Sequence, residues 1–408
     1  DELGEPFTLD WAGERDDLPI VIDKVFWIDR GVCWFPVGRP VAEIEQWANW
    51  EFTLAHRDDS RIGHDPVLTA LVLKHANSAL YGPRHVIDTV SQATSYLGLT
   101  RMRDLVIGAA MKRVTGEARF PARIVSLRVA RELAPKDLIA RALELKSLAS
   151  DRLRLGMVKI VVDGSIQGFS ARLRAPGYYN GAPNGLWYVA PPQLAEIIEG
   201  ALAAGIHVHT HTNGDEATEL VLDTMEAALK KHPSRDHRFT LQHCQLANAA
   251  QFRRMKALGM CVNLFPNHHY YWGDEHYALT VGPERAERMN ACATALASGV
   301  PLAIHSDAPV TPLGPLFTAW CAVNRRTASG RTLGIHEQIS VADALRTITL
   351  GAAYTLKLDG EIGSIEAGKR ADFCVLEADP TQAGPEGLKD VPVWGTVQGG
   401  RIFAAADA

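Results

Sequence analysis

The sequence has little that would mark it for a special environment. Its six cysteines (Cys33, Cys244, Cys261, Cys292, Cys321 and Cys374) are scattered over 408 residues without a C-x-x-C pair, which argues against a disulfide framework and a cysteine zinc site. No apolar run approaches the roughly 20 residues of a membrane helix, so a membrane partner is not expected. Basic charge is not in excess either: the formal net charge is -5, which removes the electrostatic footprint of a nucleic-acid partner. No apolar leader stretch follows Asp1, and the cytoplasm is the expected compartment.

What is present suits a large globular protein. Hydrophobic residues make up 47% and charged residues 22% of the chain, and the length predicts two or three domains, or one large barrel with attachments. Residues 1–40 read as a β-rich segment, with a strand or two in LPIVIDKVFWIDR at 18–30. Residues 41–116 are helical in pattern, broken near Tyr81-Gly82-Pro83 and at Gly98. Within them DPVLTALVLKHANSALYG and VSQATSYLGLTRMRDLVIGAAM resemble the opening helices of an HDOD domain, a helical regulatory module. Residues 117–358 alternate strand and helix signals, with strands expected at 123–129, 157–162, 205–211, 238–243, 260–265 and 301–306. Such alternation predicts an α/β fold with a parallel sheet, closed as a (β/α)8-type barrel that is atypical at its N-terminal strands. Residues 359–408 hold short strands with Gly-rich turns, the portion of a small β-sandwich.

The chemistry-bearing residues fall at the ends of those strands. In GIHVHTHTNGD, alternation puts His207, His209 and His211 on one face of an extended chain. They read either as a polar strand face satisfied by its neighbours or as ligands. Lys159 interrupts the apolar strand MVKIVV, where a buried cation needs a partner or a chemical change. His243 ends TLQH and Asp307 follows LAIHS; the first alone reads as a satisfied core residue, the second alone as a helix cap. The run His268, His269, Tyr270, Tyr271 and Trp272, together with Tyr178, Tyr179 and Trp187, reads as pocket lining for an apolar or aromatic group, or as loop packing.

Taken together, the motifs VKIVVDGS, HTNGD, QHCQ and HSDAPV, the stretch GSIQGFSARLRAPGYYNGAPNGLWY and the later GEIGSIEAGKRADF resemble the amidohydrolase superfamily, specifically its amidohydrolase-3 group. The resemblance implies a metal-dependent hydrolase of an amide or related non-peptide C-N bond in a small-molecule substrate. It implies zinc, one ion or two, held by Lys159 as a carbamate, His211, His243 and Asp307, with Asp307 also the general base. His268, His269, Tyr271, Trp272, Tyr179 and Trp187 would then bind substrate, and a homo-oligomer is compatible with this reading. One departure stands out: no H-x-H pair precedes Lys159, so the ligand set of a second metal is incomplete. That gap motivates an alternative, a catalytically impaired regulatory or scaffolding protein carrying an HDOD-like module.

Overall fold

A computed structural model describes residues 21–28, 31–37, 66–77, 83, 85–131 and 133–405. Much of the 1–40 and 41–65 segments lies outside those residues, as do His56 and His64 and the Asp65, Ser78, Tyr81 and Gly82 of the HDOD-like pattern.

Eight strands form one sheet in chain order: β1 (Val21–Ile28), β2 (Gly31–Val37), β3 (Ile124–Val129), β4 (Leu153–Val161), β5 (Val208–Thr212), β6 (Thr240–His243), β7 (Cys261–Leu264) and β8 (Leu302–Ile304). From β3 to β8 all neighbours are parallel, six strands as the βα alternation predicts. The two N-terminal strands join differently, β1 antiparallel to β2 and β2 antiparallel to β3. Two residues separate β1 from β2, too few for the crossover that a parallel pair requires. The described pairings run from β1 to β8, and none among them joins β8 back to β1.

The helices among the described residues are α1 (Pro66–Ala76), α2 (Val90–Leu97), α3 (Leu99–Gly116), α4 (Pro135–Lys146), α5 (Pro191–Ala204), α6 (Asp215–Lys231), α7 (Ala249–Ala257), α8 (Asn267–Glu275), α9 (Gly282–Glu287), α10 (Cys292–Ser298), α11 (Pro315–Asn324), α12 (Val341–Arg346), α13 (Ala352–Thr355) and α14 (Pro380–Gly387). Their boundaries follow local chemistry. Thr89 and Gln92 close a reciprocal capping box on α2 and Asn248 and Gln251 another on α7, while Pro191 opens α5 and Gly205 closes it with φ 64°. The main core interleaves Val158, Ile160, Val208, Leu241, Val262 and Leu264 of the parallel strands with Leu194, Ile198, Val221, Met225 and Phe252 of the covering helices. Parallel strands buried on both faces read as continuous apolar runs for this reason.

The N-terminal helices do not stand apart. Val72, Leu97, Met102 and Leu105 share a core with Ile124, Leu145, Leu153 and Leu155, so α1, α2 and α3 pack where β3, β4 and α4 meet. No helix among the described residues is long and apolar enough to cross a membrane. At the other end, where the portion of a β-sandwich is expected, β9 (Phe373–Leu376), β10 (Val393–Gln398) and β11 (Arg401–Ala404) make one small antiparallel sheet in the order β11-β10-β9. Gly399 and Gly400, at φ 59° and 80°, supply the two left-handed residues of a tight hairpin. Arg123 at the start of β3 is clamped to Asp372 and Asp151, and Arg370 to Asp151, which fastens this sheet to the larger one.

Candidate metal centre

Parallel strands deliver their carboxyl ends to one edge, and the sequence loads those ends with titratable side chains. Register sets Lys159 of β4 beside His209 of β5, and His211 beside Gln242 of β6. His243 is the last residue of β6, His305 continues β8 by donating its backbone N-H to the Leu264 carbonyl at 3.0 Å, and Asp307 follows two residues on. The chain turns sharply at these positions: His243 has φ 71°, Cys244 44° and Asp307 52°. A non-glycine residue held in the left-handed region costs of order 1–3 kcal/mol and persists where the surroundings over-determine it, commonly at sites.

The side chains of His243, His305 and Asp307 converge, with one donor atom of each within 4.8 Å of the other two. His243 Nδ1 lies 2.9 Å from His305 Nε2 and 4.0 Å from the Asp307 carboxylate. His305 Nδ1 meets Asn263 Oδ1 of β7 at 3.0 Å. An amide oxygen only accepts, so this contact places the ring hydrogen on Nδ1 and leaves Nε2 as the lone-pair nitrogen facing the cluster. His211 stands edge-on to His243, ring centroids 4.5 Å apart, with its Nε2 3.2 Å from both the Gly164 carbonyl and Asn213 Nδ2.

Burial dominates the electrostatics. It pushes Lys159 down to about 8, against the pull of Asp307, and pushes Asp307 up to about 6, against the pull of Lys159. His211 and His305 fall to about 3 and His243 well below the usual imidazole range, first through desolvation and then through neighbouring cations that include Lys159. The imidazoles are therefore neutral at pH 7 and offer lone pairs, the form a metal ion requires. Two neutral imidazoles and a carboxylate suit a borderline divalent ion such as zinc with a position left open. The donor set fits the implied metal.

Behind the cluster, Asp163 ties two loops together. Its carboxylate accepts the backbone N-H of Asn213 at 2.9 Å, Gly214 at 2.9 Å and Arg172 at 3.0 Å. Burial still pushes it up to about 7, the three donors pulling the other way. Gly214 is needed where it stands, since a Cβ there would collide with the Arg172 carbonyl.

Of the four ligands the resemblance implies, the structure gathers His243 and Asp307 in one cluster and adds His305 with its partner Asn263; His211 stands beside that cluster against the His243 ring, and Lys159 lies buried in the field of Asp307. His305 stands inside HSDAPV; its place directly after the apolar strand Leu302–Ile304 is the available signal, since that is where a parallel strand presents its carboxyl end. His207 and His209 are buried and satisfied, Nε2 of each meeting a backbone carbonyl, Arg238 at 2.8 Å and Thr355 at 3.0 Å. Among the expected substrate contacts, His268 packs on Phe265 and Trp272, ring centroids 4.6 and 4.5 Å away, and Phe265 in turn stacks on His305 at 5.1 Å. His269 is instead engaged by buried Arg325, whose Nη2 lies 2.7 Å from its Nε2. Tyr271 sits among Tyr270, Trp272 and Phe317, Trp187 lies under the Arg172 guanidinium at 4.7 Å, and exposed Tyr179 donates its backbone N-H to Thr280 at 2.8 Å.

Imidazole and carboxylate donors gathered at the carboxyl edge of a parallel sheet define an α/β protein with a candidate metal centre. The chain belongs to the amidohydrolase family, amidohydrolase-3 group: the family model matches residues 66–404. That match begins inside the helical segment, where the likeness to an HDOD domain remains one of sequence alone. Similar proteins are LONG AFTER FAR-RED 3 of Arabidopsis thaliana, 34% identical over 64% of this chain and 46% of that protein, and YtcJ of Bacillus subtilis, 29% identical over 64% and 49%. The N-substituted formamide deformylase of Arthrobacter pascens is 27% identical over 74% of this chain and 57% of its own length. The chain thus spans about half the length of the curated relatives it matches. Among solved structures, an uncharacterized metal-dependent hydrolase from Pyrococcus horikoshii OT3 shares the fold, with TM-score 0.52 and 20% identity over 73% of this chain and 66% of that one.

Proposed function

We propose that the chain is a metal-dependent hydrolase that cleaves an amide or related non-peptide C-N bond of a small molecule, with residues 117–358 as the catalytic unit and the cytoplasm as its compartment. The observation that carries this reading is the convergence of His243, His305 and Asp307 beside buried Lys159. A bound zinc ion would supply Lewis acidity, polarising the substrate carbonyl and lowering the pKa of water. His243 and His305 would hold it through neutral nitrogens and Asp307 through oxygen, with His211 and Lys159 completing the set.

The protein's own groups supply the rest. Asp307, pushed up to about 6, is a base matched to neutral pH: it takes a proton from the attacking water and returns it to the departing nitrogen. Lys159, brought down to about 8, exposes a neutral amine in appreciable amount at pH 7 to 8. Such an amine adds to carbon dioxide and loses a proton, giving a carbamate that replaces a buried cation with an oxygen ligand. One zinc uses the donors present; a carbamate oxygen would allow a second. Phe265, His268 and Trp272 offer an aromatic wall for the nitrogen substituent, and the likeness to the N-substituted formamide deformylase of Arthrobacter pascens supports N-formyl amines as substrates.

The test is metal analysis of the purified protein with turnover of an N-formyl arylmethylamine. Stoichiometric zinc and hydrolysis, both lost in Lys159→Ala, are expected. A protein without zinc whose activity survives Lys159→Ala would refute the proposal, and zinc without turnover of any N-acyl amine would return the impaired regulatory reading.

A further inference from the structure

Beyond the cluster, β7 leads into α8, and α8 passes into a π turn, His276–Thr280. A π turn inserts a residue into the helical ladder and recurs where a side chain must be placed out of the regular register. This one sets His276 Nε2 3.1 Å from His268 Nδ1, and His276 Nδ1 2.8 Å from the Thr280 hydroxyl. The two imidazole planes lie within 9° of parallel. All three side chains are buried, Thr280 at 2%, His276 at 1% and His268 at 3% exposure.

Their hydrogen count restricts what they do. Burial holds both imidazoles below their ordinary range, so each ring carries one hydrogen. His276 therefore cannot donate at both nitrogens. Either it donates to Thr280 and accepts from His268 Nδ1-H, or it accepts the Thr280 hydroxyl hydrogen and donates to His268 Nδ1. The second arrangement moves the His268 hydrogen to Nε2, an atom without a protein partner among the described residues. His268 stands one ring from the cluster, since Phe265 touches His268 on one side and His305 and His243 on the other. No other described polar group meets Thr280 Oγ or either ring nitrogen of His276: if Thr280 accepts, its own hydroxyl hydrogen is left buried and unpaired, whereas if it donates, the only hydrogen left for another acceptor is the one on His268 Nε2.

We propose that Thr280 and His276 are positioning residues that fix His268 as its Nε2-H tautomer, a hydrogen-bond donor aimed at the carbonyl oxygen of the amide substrate. The identity of that acceptor rests on the hydrolase reading above; the tautomer does not. A donor fixed in advance is worth most where charge develops, because nothing reorganises as the oxygen becomes negative. The opposite tautomer would present a lone pair to that oxygen and repel it.

The measurement is nitrogen-15 NMR of histidine-labelled, zinc-loaded protein, with the His268 signals assigned from His268→Gln. His268 is expected as the Nε2-H tautomer in the natural protein and in Thr280→Ser, and as a mixture in Thr280→Val, which keeps the shape and removes the hydroxyl. With an N-formyl amine, kcat should fall about 10-fold in Thr280→Val, the usual effect of removing an outer-shell partner, with KM nearly unchanged and activity restored in Thr280→Ser. A Nδ1-H tautomer in the natural protein, or a tautomer indifferent to Thr280→Val, overturns the proposal. The expected tautomer pattern in a protein that turns over no amide would uphold the relay and overturn the hydrolase reading instead.

Discussion

His305 shows how one environment gives a side chain two properties at once. Asn263 fixes its ring hydrogen, and burial pushes its pKa down to about 3, so the same surroundings orient the ligand and keep it neutral. The cost appears in acid. His207 and His276 are pushed to about 4, His211 and His305 to about 3, while unfolded histidines titrate near 6.5. Between those values the unfolded chain binds more protons than the folded one, so stability falls as pH drops through that window. Asp307 and Asp163, raised to about 6 and 7, work in the opposite sense, holding protons in the folded state that the unfolded chain releases above about 4. His209, His243, His268 and His269 are held well below the usual range as well, by burial first, so the histidines outweigh the two carboxyls and leave a net loss in acid. The urea midpoint of metal-free protein should therefore fall steadily from pH 6.5 to 4.5, with a shallower slope in His305→Asn. A flat profile would mean that these imidazoles are not neutral and buried. The sequence displayed His211, His243 and Asp307 through their places at strand ends. It could not display Asn263, whose role depends on β7 lying next to β8.

At the scale of elements, the junction of α3, β3 and α4 is held by charge as well as by apolar packing. Asp104 of α3 receives Arg128 Nε of β3 at 2.9 Å and lies 3.6 Å from Arg141 Nε of α4, and Arg141 faces Glu144 at 2.7 Å. All four side chains are buried. Arg103 also reaches Asp104, at 3.8 Å, so Asp104 faces three guanidinium groups, and removing it leaves buried cations uncompensated, which costs about 3–5 kcal/mol. Asp104→Ala should lose stability of that order in urea unfolding, and the charge-free pair Asp104→Leu with Arg128→Met should recover much of it. If Asp104→Ala unfolds like the natural protein, the cluster has no part in docking α3. Helix periodicity made α3 and α4 legible in the sequence, but nothing local relates Asp104 to Arg128, 24 residues on.

Across the whole molecule, the proposed metal links the strands that supply its donors, so binding and folding should be coupled. A ligand bound only by the folded state stabilises by about 2.7 kcal/mol at a free concentration 100 times Kd. Chelation should accordingly lower the thermal midpoint, zinc should restore it, and His243→Ala should be insensitive to both; an equal midpoint with and without zinc would argue against a centre joining β6 to β8. By itself, the sequence determined the alternation of strands and helices and the short terminal strands, and it singled out Lys159, His211, His243 and Asp307 as candidates. Each is written in local periodicity or in a short motif at a strand end. Only the tertiary structure decided that the N-terminal strands enter as an antiparallel hairpin, that His305 belongs to the cluster, and that His276 braces His268. It alone showed that Arg123 clamps Asp372 across 249 residues. These facts depend on which elements become neighbours and how their side chains meet, and a pattern confined to one element carries no record of its neighbours.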